Sequence, residues 1–219
     1  MKFDRGVYIG SFVMATVIFL AGTFFGMIFE RERASEISEG IRELSEDLEI
    51  MQLSYLFLNV GNVTCHDFEP VTSSLYDKLD ELGVQLENYQ KEGMFERPEF
   101  KQLKREYILF SIRTWLTLRN IKDSCPDEFI TVLFFYKPEG CDDCIVQGPI
   151  LDYFKFKYGP RLMIFSIDTE FNSPIVETIK RTYNVTGTPS LVVNDIMVKG
   201  LVEKGELSQV LCEQGLCKN

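Results

Sequence analysis

The run Phe129 to Tyr136, FITVLFFY, is apolar almost without interruption and rich in aromatic and β-branched side chains. A strand with one wet face alternates apolar and polar residues, so an unbroken run implies a central strand covered on both faces. That requirement sets the architecture of everything after Pro126, where the composition changes and a domain boundary is expected. A loop, Lys137-Pro-Glu-Gly140, leads from this strand into Cys141, and residues 141–158 read as a helix with Pro149 inside it, which implies a kink. Residues 162–167 (LMIFSI) read as a second strand, 174–183 as a helix, 191–194 and 196–199 as two short strands, and 206–213 as a closing helix.

This β-α-β-α-β-β-α order, with Cys141-Asp-Asp-Cys144 at the first strand-to-helix junction, resembles the thioredoxin family over roughly residues 126–213. Pro149 stands where the family has its helix-kinking proline, the segment Tyr183 to Val193 around Pro189 resembles the one that carries the family's cis-proline, and Gly200 follows the last strand. The resemblance implies a thioredoxin-like α/β domain over 126–219. It also implies that Thr188 and Pro189 face the cysteine pair and hold an extended substrate segment, and that Pro189 denies metal ions access to the sulfurs.

The chemistry of the pair follows from its position. A cysteine that opens a helix lies beside unpaired backbone N–H groups and the positive end of the helix dipole, which lowers its thiol pKa. Cys141 is therefore expected to attack a substrate disulfide, and Cys144, one turn later, to resolve the mixed disulfide. Three features depart from the family pattern: Gly140 replaces a tryptophan, Asp142-Asp143 replaces Gly-Pro, and Phe135 stands where many thioredoxins keep a buried acid. Glu139, Asp142 and Asp143 are then the candidate proton acceptors for the resolving thiol. Cys212 and Cys217 are spaced to close a small loop, with Gly215 permitting the turn, and are read as a structural disulfide rather than an auxiliary redox pair.

Between residues 30 and 125 the pattern is helical. Apolar residues from Ala34 to Leu58 repeat at steps of three and four; a second run, Leu75 to Tyr89, ends at Gly93; a third begins at Pro98 and continues to Ile121. Three helices with short connections suggest an up-down-up bundle, favoured over an intermolecular coiled coil built on the first helix. The bundle would bring Cys65 and Cys125 to one end, within reach of a second structural disulfide. His66, the chain's single histidine, has no partner pattern and reads as a loop residue.

Ahead of these helices, after a short tail over residues 1–6, residues 7–29 carry no charge until the final turn ends at Phe29. About 20 such residues suffice to cross a bilayer core, and the bulky Met27, Ile28 and Phe29 favour an uncleaved transmembrane anchor over a signal peptide. Small residues at Ser11, Ala15, Gly22 and Gly26 share one helical face and would allow self-association, so a homodimer through this segment and the stalk is an open expectation. Six cysteines fit an oxidising compartment, which places the N-terminus in the cytoplasm and the C-terminal domains outside it, in a single-pass membrane protein. The sequons at Asn62 and Asn184 are compatible with that side.

A formal net charge of -10, with acidic residues spread throughout, speaks against nucleic acid as a partner. No cofactor or metal site is expected. Taken together, the residues suggest a membrane-anchored thiol-disulfide oxidoreductase acting on protein thiols and disulfides, with a membrane redox partner as a further expectation. The alternative is a non-catalytic binding or scaffold module of the same fold with a permanent Cys141-Cys144 disulfide.

Overall fold

The computed structural model describes residues 12–24, 46, 49–50, 53, 69–94, 97–122 and 129–217. The chain divides into two compact units, Met1–Arg42 and Glu43–Asn219. In the first, residues 12–24 form a helix. At 1.5 Å per residue this stretch spans roughly 20 Å, short of the roughly 30 Å of a hydrocarbon core. Among the described residues no helix is long and apolar enough to cross a membrane. The transmembrane helix expected over 7–29, and with it the single-pass membrane placement with extracytoplasmic C-terminal domains, is corrected on this finding. The first amphipathic run (34–58), apart from isolated positions, and Cys65, Cys125, His66 and Asn62 lie outside the described residues.

The second unit opens with two helices, α1 (Glu69–Lys91) and α2 (Pro98–Lys122). Leucines at heptad-like spacing on α1, Leu75, Leu79, Leu82 and Leu86, are all buried against its neighbours. Gly93, at φ 69°, reverses the chain after α1, its N–H donating to the Gln90 carbonyl at 3.0 Å. Only glycine takes this left-handed conformation without a Cβ penalty, and Pro98 then supplies a preset φ for the first turn of α2. The turn brings Tyr89 and Phe100 together, ring centroids 6.3 Å apart.

Helix α2 is buried over far more than one stripe, from Phe100 and Leu103 through Ile108, Phe110 and Ile112 to Trp115, Leu118 and Ile121. It packs on α1 and also on the sheet that follows, which is why its apolar surface is broad. The sheet comprises β1 (Ile130–Tyr136), β2 (Leu162–Asp168), β3 (Ser190–Val193) and β4 (Ile196–Lys199) in the order β2-β1-β3-β4. β1 and β2 run parallel, joined by α3 (Asp142–Tyr158) and a short 3₁₀ turn, while β3 is antiparallel to both β1 and β4. α4 (Pro174–Thr182) precedes β3, and α5 (Lys204–Glu213) closes the unit, beginning two residues before the sequence expectation. β1 is buried along nearly its whole length, as its composition requires. Its even-numbered residues Ile130, Val132 and Phe134 join a core with Leu151 and Phe154 of α3 and Leu207 and Leu211 of α5. β2 lies at the sheet edge yet is largely buried, because α2 packs on it and blunts the edge.

Asn194, in the β3–β4 turn at φ 53°, ties three parts of the chain together. Its Oδ1 accepts from the Thr131 N–H (3.2 Å) and from Lys122 Nζ at the end of α2 (3.0 Å), and its Nδ2 donates to Gln214 (3.1 Å). Beyond Gln214 the Cys212–Cys217 disulfide closes the C-terminal turn, with Gly215 at φ 103° and Leu216 buried beneath it.

Two outcomes follow. Closing a loop of this length is worth about 2 kcal/mol in the unfolded-chain entropy model, so the double variant Cys212→Ala/Cys217→Ala is expected to lose about that much in denaturant unfolding. Burial, aided by the nearby Asp80, pushes the Tyr107 phenol up to about 12. A phenol whose folded pKa is raised stabilises fully below its unfolded value near 10, and that contribution is lost as pH rises through about 12. Tyr107→Phe should therefore flatten the fall in Tm across this alkaline window, measured by thermal melts at a series of pH values.

Candidate functional site

The end of β1 sets the site. After Tyr136 the loop turns at Gly140, whose φ of 69° suits a residue without Cβ, and delivers Cys141 to the N-cap of α3. Cys141 and Cys144 are joined by a disulfide, with Cα atoms 5.2 Å apart. The Cys144 N–H donates to Cys141 Sγ at 3.2 Å, and the Cys141 carbonyl accepts from the N–H groups of Cys144 (3.1 Å) and Ile145 (3.4 Å). Cys141 Sγ thus occupies the place a serine or aspartate oxygen takes in an ordinary helix cap, where the first-turn amides are otherwise unpaired. After reduction the same amide would stabilise a thiolate on Cys141.

The cysteines are almost equally covered in the disulfide form, Cys141 9 % and Cys144 8 % exposed, and both belong to the core beneath α3. Helix position alone would leave Cys141, at the helix start, more exposed than Cys144 one turn later, and the packed fold does not keep that difference.

The antiparallel pairing of β1 with β3 places Phe135 opposite Ser190, so the start of β3 lies at the same end of the sheet as the loop to Cys141. The Thr188–Pro189 peptide bond just before it is cis. Pro189 is buried, Thr188 is half-buried, the Pro189 carbonyl accepts from the Gly200 N–H at 3.0 Å, and Ser190 Oγ donates to the Gly187 carbonyl at 2.8 Å. Glu139, Asp142 and Asp143, the carboxylates singled out in the sequence, are all exposed; the two aspartates sit in the first turn of α3, where the helix dipole favours negative charge.

Sequence reasoning missed the buried acid. Asp168, 3 % exposed at the end of β2, pairs with Lys104 of α2 at 2.5 Å and accepts from the Glu170 N–H at 2.8 Å. It is the register partner of Tyr136, whose phenol is pushed well above its ordinary value by burial and by the Asp168 charge. Nothing in the local pattern links Lys104 to Asp168, which meet only because α2 packs on β2. Also missed was Gln147, fully buried on α3: its Nε2 donates to the Val202 carbonyl (3.3 Å) and its Oε1 accepts from the Val202 N–H (2.8 Å). This two-way clamp fixes the helix that carries the cysteines against the loop before α5. A lone glutamine inside an apolar helix was its only sequence signal.

Among the described residues no group of side chains has the arrangement to hold a metal ion. A C-x-x-C pair at disulfide distance on a helix start is compatible with a redox function.

No protein-family model matches the chain, and no curated protein does. Among the solved structures that resemble part of it are the following two. One, described as the structure of a malarial protein, is 22% identical, covers 39% of this chain and 97% of its own, and has a TM-score of 0.33. The other, chloroplastic thioredoxin z, is 13% identical over 43% of this chain and 85% of its own, with a TM-score of 0.35.

Removing the Gln147 clamp leaves the buried Val202 N–H and C=O without partners, at about 1–3 kcal/mol for each unsatisfied group. Gln147→Leu is therefore expected to lower stability by roughly 2–6 kcal/mol in urea unfolding. Gln147→Glu, whose protonated carboxyl can both donate to the Val202 carbonyl and accept from the Val202 N–H, should lose least at low pH and become less stable as pH rises and the buried carboxyl ionises.

Proposed function

We propose that this chain is a thiol-disulfide oxidoreductase of thioredoxin-like fold, acting on protein thiols and disulfides through Cys141 and Cys144. The observation that carries the reading is the Cys144 N–H on Cys141 Sγ at the N-terminus of α3, within a disulfide closed over one helical turn. The strand order and pairing around it agree with the element order on which the family resemblance rests.

In the reduced protein, the Cys141 thiolate attacks one sulfur of a substrate disulfide, forming a mixed disulfide and releasing the other substrate sulfur as thiolate. Cys144, after losing its proton, attacks Cys141 Sγ; the Cys141–Cys144 bond forms and the second substrate thiolate leaves. The substrate has gained two electrons and the protein has lost two. In this reading Glu139, Asp142 and Asp143 are the surface carboxylates that take up the Cys144 proton, and Thr188 and Pro189 present backbone to an extended substrate segment.

The near-equal covering of both sulfurs favours a second reading, in which the disulfide is permanent and the unit serves as a binding or scaffold module. One assay separates them. For the oxidoreductase, Cys144→Ser traps a mixed disulfide with disulfide-bonded insulin or a model peptide disulfide, because the first attack proceeds and release does not. Cys141→Ser traps none at that position and abolishes turnover. Insulin reduction that survives in both variants would overturn the assignment of turnover to this pair, and a wild-type protein that reduces no insulin and whose disulfide resists dithiothreitol in the folded state would support the permanent-bond reading.

A further inference from the structure

A cavity of about 560 Å³ lies between the α1–α2 pair and α3, with Cys144 in its wall and Cys141 outside it. Its size falls within the roughly 300–1,000 Å³ of small-molecule sites. One stripe of α3 forms a side of it: Cys144, Gly148 and Asp152, each four residues after the last, with Leu151 and Lys155 beside them. Gly148 is the gap in this stripe. A Cβ built on it would meet nothing within 4 Å, so the absence of a side chain leaves open the path from the disulfide along the helix.

The far end of the path is negative. Asp80 and Glu87 of α1 line the cavity with Asp152. Asp80 is engaged by Lys155 Nζ and Glu87 by Lys91 Nζ (2.8 Å); burial raises the Asp152 carboxyl above its ordinary value, the Lys155 charge opposing the shift and the charges of Glu87 and Asp80 adding to it. A cation there would relieve the cost of keeping these carboxylates together. Eight residues of helix separate Cys144 from Asp152, about 12 Å along the axis. A thiol reaching that far has the length of a short peptide, at about 3.5 Å per residue plus a side chain.

The disulfide itself favours attack from this side. Thiol-disulfide exchange runs faster when the expelled thiolate is the better leaving group. Attack on Cys144 Sγ expels Cys141, the sulfur that already accepts the Cys144 N–H at the helix N-terminus. Access, not leaving-group chemistry, is what ordinarily protects the second cysteine of such a pair, and the cavity reaches as far as Cys144.

We infer that this cavity is a second entry to the redox couple, taking a short-peptide-sized thiol that bears a cationic group and exchanging it at Cys144. The inference rests on Cys141–Cys144 being a redox couple. In the step, the incoming thiolate bonds to Cys144 Sγ, the Cys141–Cys144 bond breaks, and Cys141 leaves as thiolate. A second molecule of the same thiol attacks the sulfur of the first, forming their disulfide and releasing Cys144 as thiolate. Two thiols become one disulfide and the protein gains two electrons.

The test uses the full chain and a matched pair of probes, the symmetrical disulfides of acetyl-Cys-Ala-Lys-amide and acetyl-Cys-Ala-Glu-amide. In Cys141→Ser, the Cys144 thiolate attacks the probe, retains one half and releases the other, and peptide mass mapping reads the rate. The lysine probe is expected to label Cys144 about tenfold faster than the glutamate probe, an effect reduced in Asp152→Asn and by salt. Gly148→Leu, which removes a helix-weakening glycine while filling the path, should lower Cys144 labelling relative to that of Cys141 in Cys144→Ser by about tenfold. Equal rates for the two probes, or a labelling ratio unmoved by Gly148→Leu, would overturn the inference. Wild-type insulin turnover reports on the redox reading and the labelling ratio on the cavity, so the two fail separately.

Discussion

The structure depends on the burial of β1. A strand with apolar residues on both faces cannot be left in water on either side, and each element nearby answers that demand. α3 and α5 supply the core on its even-numbered face, β2 and β3 flank it, and α2 packs on both β1 and β2. Because β1 is fixed so firmly, the loop at its end delivers Cys141 to a defined place. The chemistry of the pair is a consequence of where the strand stops and the helix starts.

That junction combines a glycine turn, a helix terminus and a disulfide within a few residues. Gly140 makes the turn, the first-turn amides of α3 meet Cys141 Sγ, and Gln147 holds the same helix to the Val202 loop one turn further on. A redox couple needs its two sulfurs kept in register in both oxidation states, and a helix anchored by a buried two-way hydrogen bond provides this better than a free loop would. The two exposed aspartates between the cysteines satisfy the helix dipole but also place negative charge beside the sulfur that would ionise. The local electrostatics therefore contain opposing effects, the backbone amide favouring the thiolate and the carboxylates opposing it.

Much of this was legible beforehand where the signal was local. The apolar run 129–136, the period of the leucines from 75 to 86, Pro98 at a helix start and the order of elements after Pro126 all appear close to where periodicity and turn residues put them. The charge-free stretch near the N-terminus pointed to a span that no described helix is long and apolar enough to make. The Cys65–Cys125 pairing and the first amphipathic helix fall outside the described residues.

The sequence by itself determined the secondary structure after residue 69, the place of Cys141 at a helix start and the cap chemistry that follows, since each depends on neighbours within a few positions. Tertiary structure alone decided how covered the two sulfurs are and which distant side chains meet. Lys104 reaches Asp168, Lys122 and Gln214 reach Asn194, and the leucine-rich α1 forms a wall opposite Cys144 only once helices and sheet have packed. The physical reason is that burial, ion pairing and cavities are properties of surfaces brought together by the whole fold, and residues that share one surface need have no fixed separation along the chain.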